Sequence, residues 1–276
     1  MQPTPYNATS HSSIMRVLVW NINGAIGTID KVRGVAIVKS ILELNPEVLL
    51  LQEVPHDKKF TELALLRDAG YPYQYRPSDF YVSDSKTYST MVVSRMVGTA
   101  QETPAGWEKA GDFCVVEIAG VEFASCHIPN GSGNNLFDPE TKQRHLAVAA
   151  KWLHDSAGRF LGGDFNEPWA IKEGRALSWA DKGPRFDLWR DSVRQIFHGG
   201  RSQHLCQSLH EPTDPESVRF RGNRPPNLCW YDHAFWSGPP AEYSSQYVHR
   251  LNHEERLSDH SPLLVAFGRP SQPNPD

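Results

Sequence analysis

Short apolar runs, the first of them rich in β-branched residues, recur along the chain, and each is too short to serve as a helix. Met15–Trp20 (MRVLVW), Val48–Leu51, Tyr88–Ser94, Phe113–Ile118, Val121–Cys126 and Arg159–Gly162 are runs of this kind, and stretches at about 229–236, 243–249 and 263–267 repeat the pattern. Segments with helical spacing lie between them: Val32–Leu44, stopped by Asn45-Pro46; Phe60–Ala69, ended by Gly70; Glu140–Ser156; and Asp187–Phe197. Ala119-Gly120 reads as the turn of a hairpin. Strand and helix alternate at first, and strands dominate later. Each strand is apolar enough to need cover, so sheet packs on sheet with helices outside: a layered α/β sandwich.

The 276 residues suit one large domain or two small ones. No Pro/Gly/Ser linker marks a boundary, so the expectation is one domain over 14–268, with polar tails at 1–13 and 269–276. A formal net charge of −4 excludes a global basic field and argues against tight non-specific DNA binding. It leaves a nuclease open, because a bound cation and local arginines can meet phosphate charge. Cys114, Cys126, Cys206 and Cys229 form no CxxC pair, and read as free thiols of a reducing compartment. MQPTPYNATSHSSI lacks the charged start and apolar stretch of a secretory signal, and no run is long enough to span a membrane. A cytoplasmic location is expected.

The polar residues at the ends of the apolar runs carry the chemistry. Ser258-Asp259-His260 puts an acid and an imidazole beside the run Leu263–Phe267. Trp20-Asn21-Ile22-Asn23-Gly24 follows the first run; its amides would share a face if the strand continued, although a polar strand-to-loop exit explains the same residues. Glu53 follows VLLLQ, where burial is costly without a partner, either an arginine or a hard cation. His127 ends another run before the Gly/Asn-rich loop that begins at Asn130; it is a structural histidine or a proton donor to a leaving oxygen. In Gly162-Gly163-Asp164-Phe165-Asn166, the glycines would let backbone approach a ligand, and Asp164 and Asn166 can point to one side as base and amide donor. A Gly-Gly turn with an Asx cap accounts for the residue types but not for their company. Asp232 lies in the aromatic run LCWYDHAFW and needs a hydrogen-bond partner, for which a histidine is suited.

WNING, LQEV, YSTMVVSR, CHIPN, GGDFN, WYDHAF and SDHSP, in that order, resemble the endonuclease/exonuclease/phosphatase superfamily, the DNase I-like fold, from about residue 15 to 268. The resemblance implies a four-layer α/β sandwich of two mixed β-sheets packed face to face, with the active site at one edge. It implies that Glu53 is the main Mg²⁺ ligand (Mn²⁺ being possible), with Asn23 and Asp259 nearby. Asp164 would orient or deprotonate the attacking water, and Asn21 and Asn166 would hold phosphate oxygens, with Asn130 also on the substrate side. His260, oriented by Asp232, would stabilise charge on phosphorus, and His127 would face the scissile phosphate or leaving group.

Two departures bear on the subclass. Abasic-site endonucleases of the family typically carry Tyr where His127 stands, whereas the Asn-Gly after the first strand is closer to the bacterial exonuclease branch. Within 169–228, Trp169, Trp179, Trp189, Arg175, Arg185, Arg190, Arg219, Arg221 and Arg224 fit either a DNA-facing insertion or a mixture of core and solvated face. The expectation is a Mg²⁺-dependent nuclease acting on DNA; the alternative is a metal-dependent phosphatase or phosphodiesterase acting on a small phosphoester, lipid or inositol phosphate. A binding protein on an inactive version of the fold is disfavoured by the retained acids and His260. A zinc hydrolase is disfavoured because His253-Glu254-Glu255-Arg256-Leu257 lacks the second histidine of a helical zinc site.

Overall fold

Backbone pairing and burial follow the apolar runs closely. The computed structural model describes residues 14–23, 31–55, 62–78, 88–109, 111–129, 139–167, 170–172, 175–177, 190–198, 202–206, 230–239 and 242–268. In chain order these form β1 (Ile14–Asn21), α1 (Lys31–Leu44), β2 (Val48–Pro55), α2 (Glu62–Asp68), β3 (Tyr73–Tyr75), β4 (Tyr88–Ser94), β5 (Gly98–Gln101), β6 (Phe113–Ile118) and β7 (Val121–His127). Then come α3 (Pro139–Asp155), β8 (Arg159–Asp164), β9 (Ala170–Lys172), β10 (Arg175–Leu177), α4 (Arg190–His198), β11 (Gln203–His204), β12 (Asp232–Trp236), β13 (Tyr243–Tyr247) and β14 (Leu263–Gly268).

The strands make two six-stranded sheets, ordered β13-β14-β1-β2-β4-β3 and β11-β12-β8-β7-β6-β5, besides the small hairpin β9–β10. Each large sheet has one parallel pair at its centre, β1 with β2 and β7 with β8, and antiparallel neighbours on either side. The parallel pairs are βαβ units whose crossovers carry α1 and α3.

Side-chain alternation divides the apolar residues among three cores. Val17, Val19, Val48 and Leu50 of the first sheet meet Val116, Phe123, Phe160 and Trp236 of the second. Leu18, Trp20, Leu49 and Leu51, one residue out of step, pack instead with Ile37, Val38 and Ile41 of α1 and Leu66 of α2. Ala124, Leu161 and Phe235 turn outward onto Leu146, Ala149 and Leu153 of α3 and Val193, Ile196 and Phe197 of α4. This is helix, sheet, sheet, helix: the expected four-layer sandwich. Cys114, Cys126 and Cys206 are buried free thiols, while Cys229 lies outside the described residues.

Several local expectations need correction. β1 ends at Asn21, and Asn23 has φ 51°, so the two amides do not lie along one continuing strand. The stretch expected as a strand at 243–249 stops at Tyr247, and a π-helical turn at Arg250–Glu254 follows. The strand expected at 229–236 starts only at Asp232. The Gly162-Gly163 pair serves packing rather than a ligand. A Cβ on Gly162 would meet Val19 Cγ2 of the opposite sheet at 2.7 Å, and one on Gly163 would meet the Cys126 carbonyl oxygen at 1.9 Å. The tails, residues 187–189 and most of 169–228, including Trp169, Trp179, Trp189, Arg185, Arg219, Arg221 and Arg224, lie outside the described residues.

Candidate active site

The carboxyl ends of both parallel pairs meet at one mouth of the sandwich, the position where open sheets of this kind present their ligands. β1 contributes Asn21, β2 contributes Glu53, β7 contributes His127 and β8 contributes Asp164. Asp232 begins β12, directly opposite Asp164 in the antiparallel ladder. Asp259 and His260 lie on the loop that leads into β14.

Side chains cross between the sheets here. Asn21 Nδ2 donates to Asp164 Oδ2 at 3.0 Å and to Glu53 Oε1 at 3.2 Å, tying the first sheet to the second. His127 Nε2 lies 3.6 Å from Asp164 Oδ2 and 3.8 Å from Glu53 Oε1. His260 Nδ1 meets both Asp232 carboxylate oxygens, at 3.0 and 3.1 Å, and its Nε2 points towards Asp164 Oδ2, 3.8 Å away. The pairing of Asp232 with His260, for which spacing gave no reason, is therefore present.

Unusual backbone holds these groups in place. Asn23, Glu53 and Asn166 all have positive φ, near 50°, a region that costs a non-glycine residue energy and persists where the surroundings over-determine it. Glu53 owes this to a bulge: Leu51 pairs with Met91 and Val54 with Ser89, so Gln52 and Glu53 together oppose Thr90. Such a bulge re-aims a side chain out of the regular alternation. At Asn166 the chain turns so that its N–H donates to Asp164 Oδ1 at 2.8 Å, while its amide reaches Asp164 Oδ2 at 3.3 Å and the Ile128 carbonyl at 3.0 Å. At Asn23 the backbone N–H donates to Asn21 Oδ1 at 2.9 Å.

Electrostatics divide the two histidines. Burial lowers the pKa of His127, and the nearby Asp164 carboxylate only partly opposes it. Burial acts the same way on His260, but Asp232 and Asp164, with Asp259 behind them, outweigh it and hold the ring well above the ordinary imidazole range. The protonated form of His260 is thereby favoured. Burial raises the Asp164 pKa, against the opposing pull of His260 and His127.

The donor set fits a hard divalent cation. Asn23 Oδ1 and Asp259 Oδ1 are buried and have no hydrogen-bond partner among the described residues, a costly condition that an ion would relieve. With the Glu53 carboxylate they offer oxygen only, the ligand chemistry of Mg²⁺ or Mn²⁺.

Nine of the ten residues singled out in the sequence fall in this region; Asn130 lies outside the described residues. Sequence reasoning missed the supports. Ser258 Oγ donates to the Asn21 carbonyl at 2.7 Å and accepts from the His260 N–H at 3.1 Å, stitching the SDH loop to the end of β1. Lys142 of α3, wholly buried, donates to the Asn166 carbonyl at 2.8 Å and to Glu167 Oε2 at 2.8 Å. A lysine on the same helical stripe as Leu146, Ala149 and Leu153 was the available signal.

A sequence profile described as the endonuclease/exonuclease/phosphatase family matches residues 18–260. Solved structures share the fold at low identity. A 3′-5′ exonuclease (NExo) from Neisseria meningitidis superposes with TM-score 0.68 at 19% identity, covering 92% of this chain and 100% of the other. An AP endonuclease from Archaeoglobus fulgidus gives 0.67 at 17% identity, covering 92% and 99%. D. rerio TDP2 complexed with single-strand DNA product gives 0.61 at 14% identity, covering 93% and 100%. A search of curated protein sequences returns no match.

Proposed function

The chain belongs to the endonuclease/exonuclease/phosphatase family of metal-dependent phosphoric ester hydrolases, and from that premise we propose that it is a Mg²⁺-dependent nuclease that hydrolyses DNA phosphodiester bonds by attack of water. The observation that carries this reading is the meeting of Glu53, Asp164 and the Asp232–His260 pair at one mouth, beside the buried, unpartnered oxygens of Asn23 and Asp259. The DNA bound in similar structures, a single-strand product in D. rerio TDP2 and a product hairpin in a Neisseria NExo variant, favours nucleic acid as the substrate.

Each role follows from a group's surroundings. Asp164, with its pKa raised by burial, is suited to take a proton from the attacking water, and the Asn166 and Asn21 amides keep its carboxylate oriented. His260, held as an imidazolium by Asp232, places positive charge where the non-bridging oxygens gain negative charge. Asn21 and Asn166, whose amide hydrogens are committed to Glu53, Asp164 and the Ile128 carbonyl, would each exchange one of these partners to hold a phosphate oxygen. His127, buried beside Asp164 and Glu53, would face the leaving group. Glu53, Asn23 and Asp259 would hold the cation, which when bound neutralises phosphate charge and polarises the P–O bond.

A second reading has support of its own, since the Neisseria protein is described both as a 3′-5′ exonuclease and as a 3′ phosphatase. The deciding experiment incubates the pure protein and Mg²⁺ with single-stranded, duplex and plasmid DNA, with RNA, with a 3′-phosphorylated oligonucleotide and with small phosphomonoesters. Internal or terminal cleavage of DNA supports the nuclease; turnover of monoesters alone overturns it.

A further inference from the structure

Three side chains that the catalytic site does not use converge on the edge pair of the second sheet, on the opposite face of β12 from the one by which Asp232 reaches His260. His204 ends β11, Cys206 follows it by two residues, and His233 is the second residue of β12; all three are buried. His204 Nε2 lies 3.2 Å from His233 Nδ1 and 3.2 Å from Cys206 Sγ, and Sγ lies 3.9 Å from His233 Nδ1. Three donor atoms of three residues thus face one point.

A tetrahedral zinc ion needs Zn–N distances of about 2.0–2.1 Å and Zn–S of about 2.3 Å, which separates two nitrogens by roughly 3.3 Å and a nitrogen from a sulfur by roughly 3.5 Å. The observed triangle has one N···N edge at 3.2 Å and two N···S edges on either side of the required length. The donor chemistry agrees: two imidazoles and a thiol, with no carboxylate, suit a borderline-soft ion and not Mg²⁺. The surroundings agree independently. His233 Nε2 donates to the Glu167 carbonyl at 2.9 Å, which leaves the Nδ1 lone pair of the neutral ring directed at the point of convergence. Metal-bound imidazoles characteristically anchor their second nitrogen on a carbonyl in this way.

We propose that His204 Nε2, Cys206 Sγ and His233 Nδ1 bind one Zn²⁺, with water completing the tetrahedron, at a bracing site separate from the catalytic centre. Binding forms the Zn–S bond as the Cys206 proton leaves to solvent, so uptake is favoured by rising pH. The ion fastens the two-residue strand β11, whose backbone pairings with β12 are Gln203–Trp236 and His204–Phe235, continued by the Leu205 N–H donating to the Ala234 carbonyl at 2.8 Å. It also sits one residue from Asp232. Successive strand residues face opposite sides: Asp232 turns to His260, while the His233 ring packs on Phe197 with centroids 4.8 Å apart. The zinc therefore braces the strand that orients the catalytic imidazole without touching substrate.

The test uses the full-length protein, purified without a polyhistidine tag or chelator. Elemental analysis should find about one zinc per chain, and Asp164→Asn, altered at the catalytic carboxylate, should keep it, whereas Cys206→Ser and His204→Gln should lose it. Titrating metal-free wild-type protein with Co²⁺ should give the visible bands of a tetrahedral site and a thiolate charge-transfer band, a readout that needs no variant to fold. Wild-type protein that neither retains zinc nor develops these bands overturns the proposal, as does equal zinc in Cys206→Ser.

Discussion

At the residue scale, the division of labour between two carboxylates and two histidines is set by surroundings rather than by residue type. Asp164→Asn keeps the shape of the side chain but removes the proposed base, and should lower the proposed DNA hydrolysis by about 10³-fold while leaving the fold intact, measured by single-turnover cleavage beside a melting curve. His260 adds a pH dependence. Its folded-state pKa is raised, so in the folded protein it keeps a proton that the unfolded chain releases above about 6.5. Its stabilising contribution is complete below that pH and is lost as pH rises towards the folded value. Urea midpoints should fall over this alkaline interval in the wild type, and the fall should be shallower in His260→Asn. The residue types at this site were legible in the sequence because most stand at the end of an apolar run, Asp232 lying within one. Their aim was not. No pattern in LQEV reveals that a bulge turns Glu53 into the site, and nothing in SDHSP shows Ser258 bonded to the end of β1.

At the element scale, α3 reaches into the site through one side chain. The Lys142–Glu167 pair is fully buried and carries the Asn166 turn on its ammonium. Burial lowers the pKa of Lys142, and Glu167 opposes that shift. Lys142→Met should cost about 3–5 kcal/mol, because it strands the Glu167 charge, and the double variant Lys142→Met/Glu167→Leu should recover much of that stability. Recovery of stability without recovery of activity would show that the lysine positions Asn166; chemical denaturation and initial rates measure the two separately. The β6–β7 hairpin offers the opposite case. Ala119 has φ 52° ahead of Gly120 at 77°, a turn geometry that asparagine accepts more readily than alanine. Ala119→Asn should raise stability by about 1 kcal/mol, visible as a higher melting temperature with unchanged activity. The long strands and helices were read correctly because their periodicity is strong. Short edge strands such as β3, β5 and β11 carry too few residues for any period to show, and tertiary pairing alone defines them.

At the scale of the whole molecule, three apolar layers impose the arrangement. The one-residue offset between Val17/Val19 and Leu18/Trp20 sends alternate side chains to the inter-sheet core and to the helices, and the same offset recurs in β2 and β8. The sandwich was therefore legible from strands that are apolar on both faces. The closeness of the two sheets was not, because it depends on the side chain that Gly162 lacks against Val19 and Leu50, while Gly163 lets β8 lie against β7. Gly163→Ala should destabilise the protein by about 1–3 kcal/mol, since the added methyl would collide with the Cys126 backbone rather than with a side chain able to rotate away. A urea titration tests this. Metal removal acts at the same scale but with a different outcome: chelation should abolish hydrolysis, and re-addition of Mg²⁺ should restore it.

The hydrogen bond from Asn21 to Asp164 joins two sheets that share no strand pairing among the described residues. Catalysis is thereby made a gauge of alignment. A slip of one sheet over the other by a fraction of an ångström, tolerable to an apolar interface, would separate the base from the amide that aims it, so turnover should fail under mild denaturant before the strands themselves come apart.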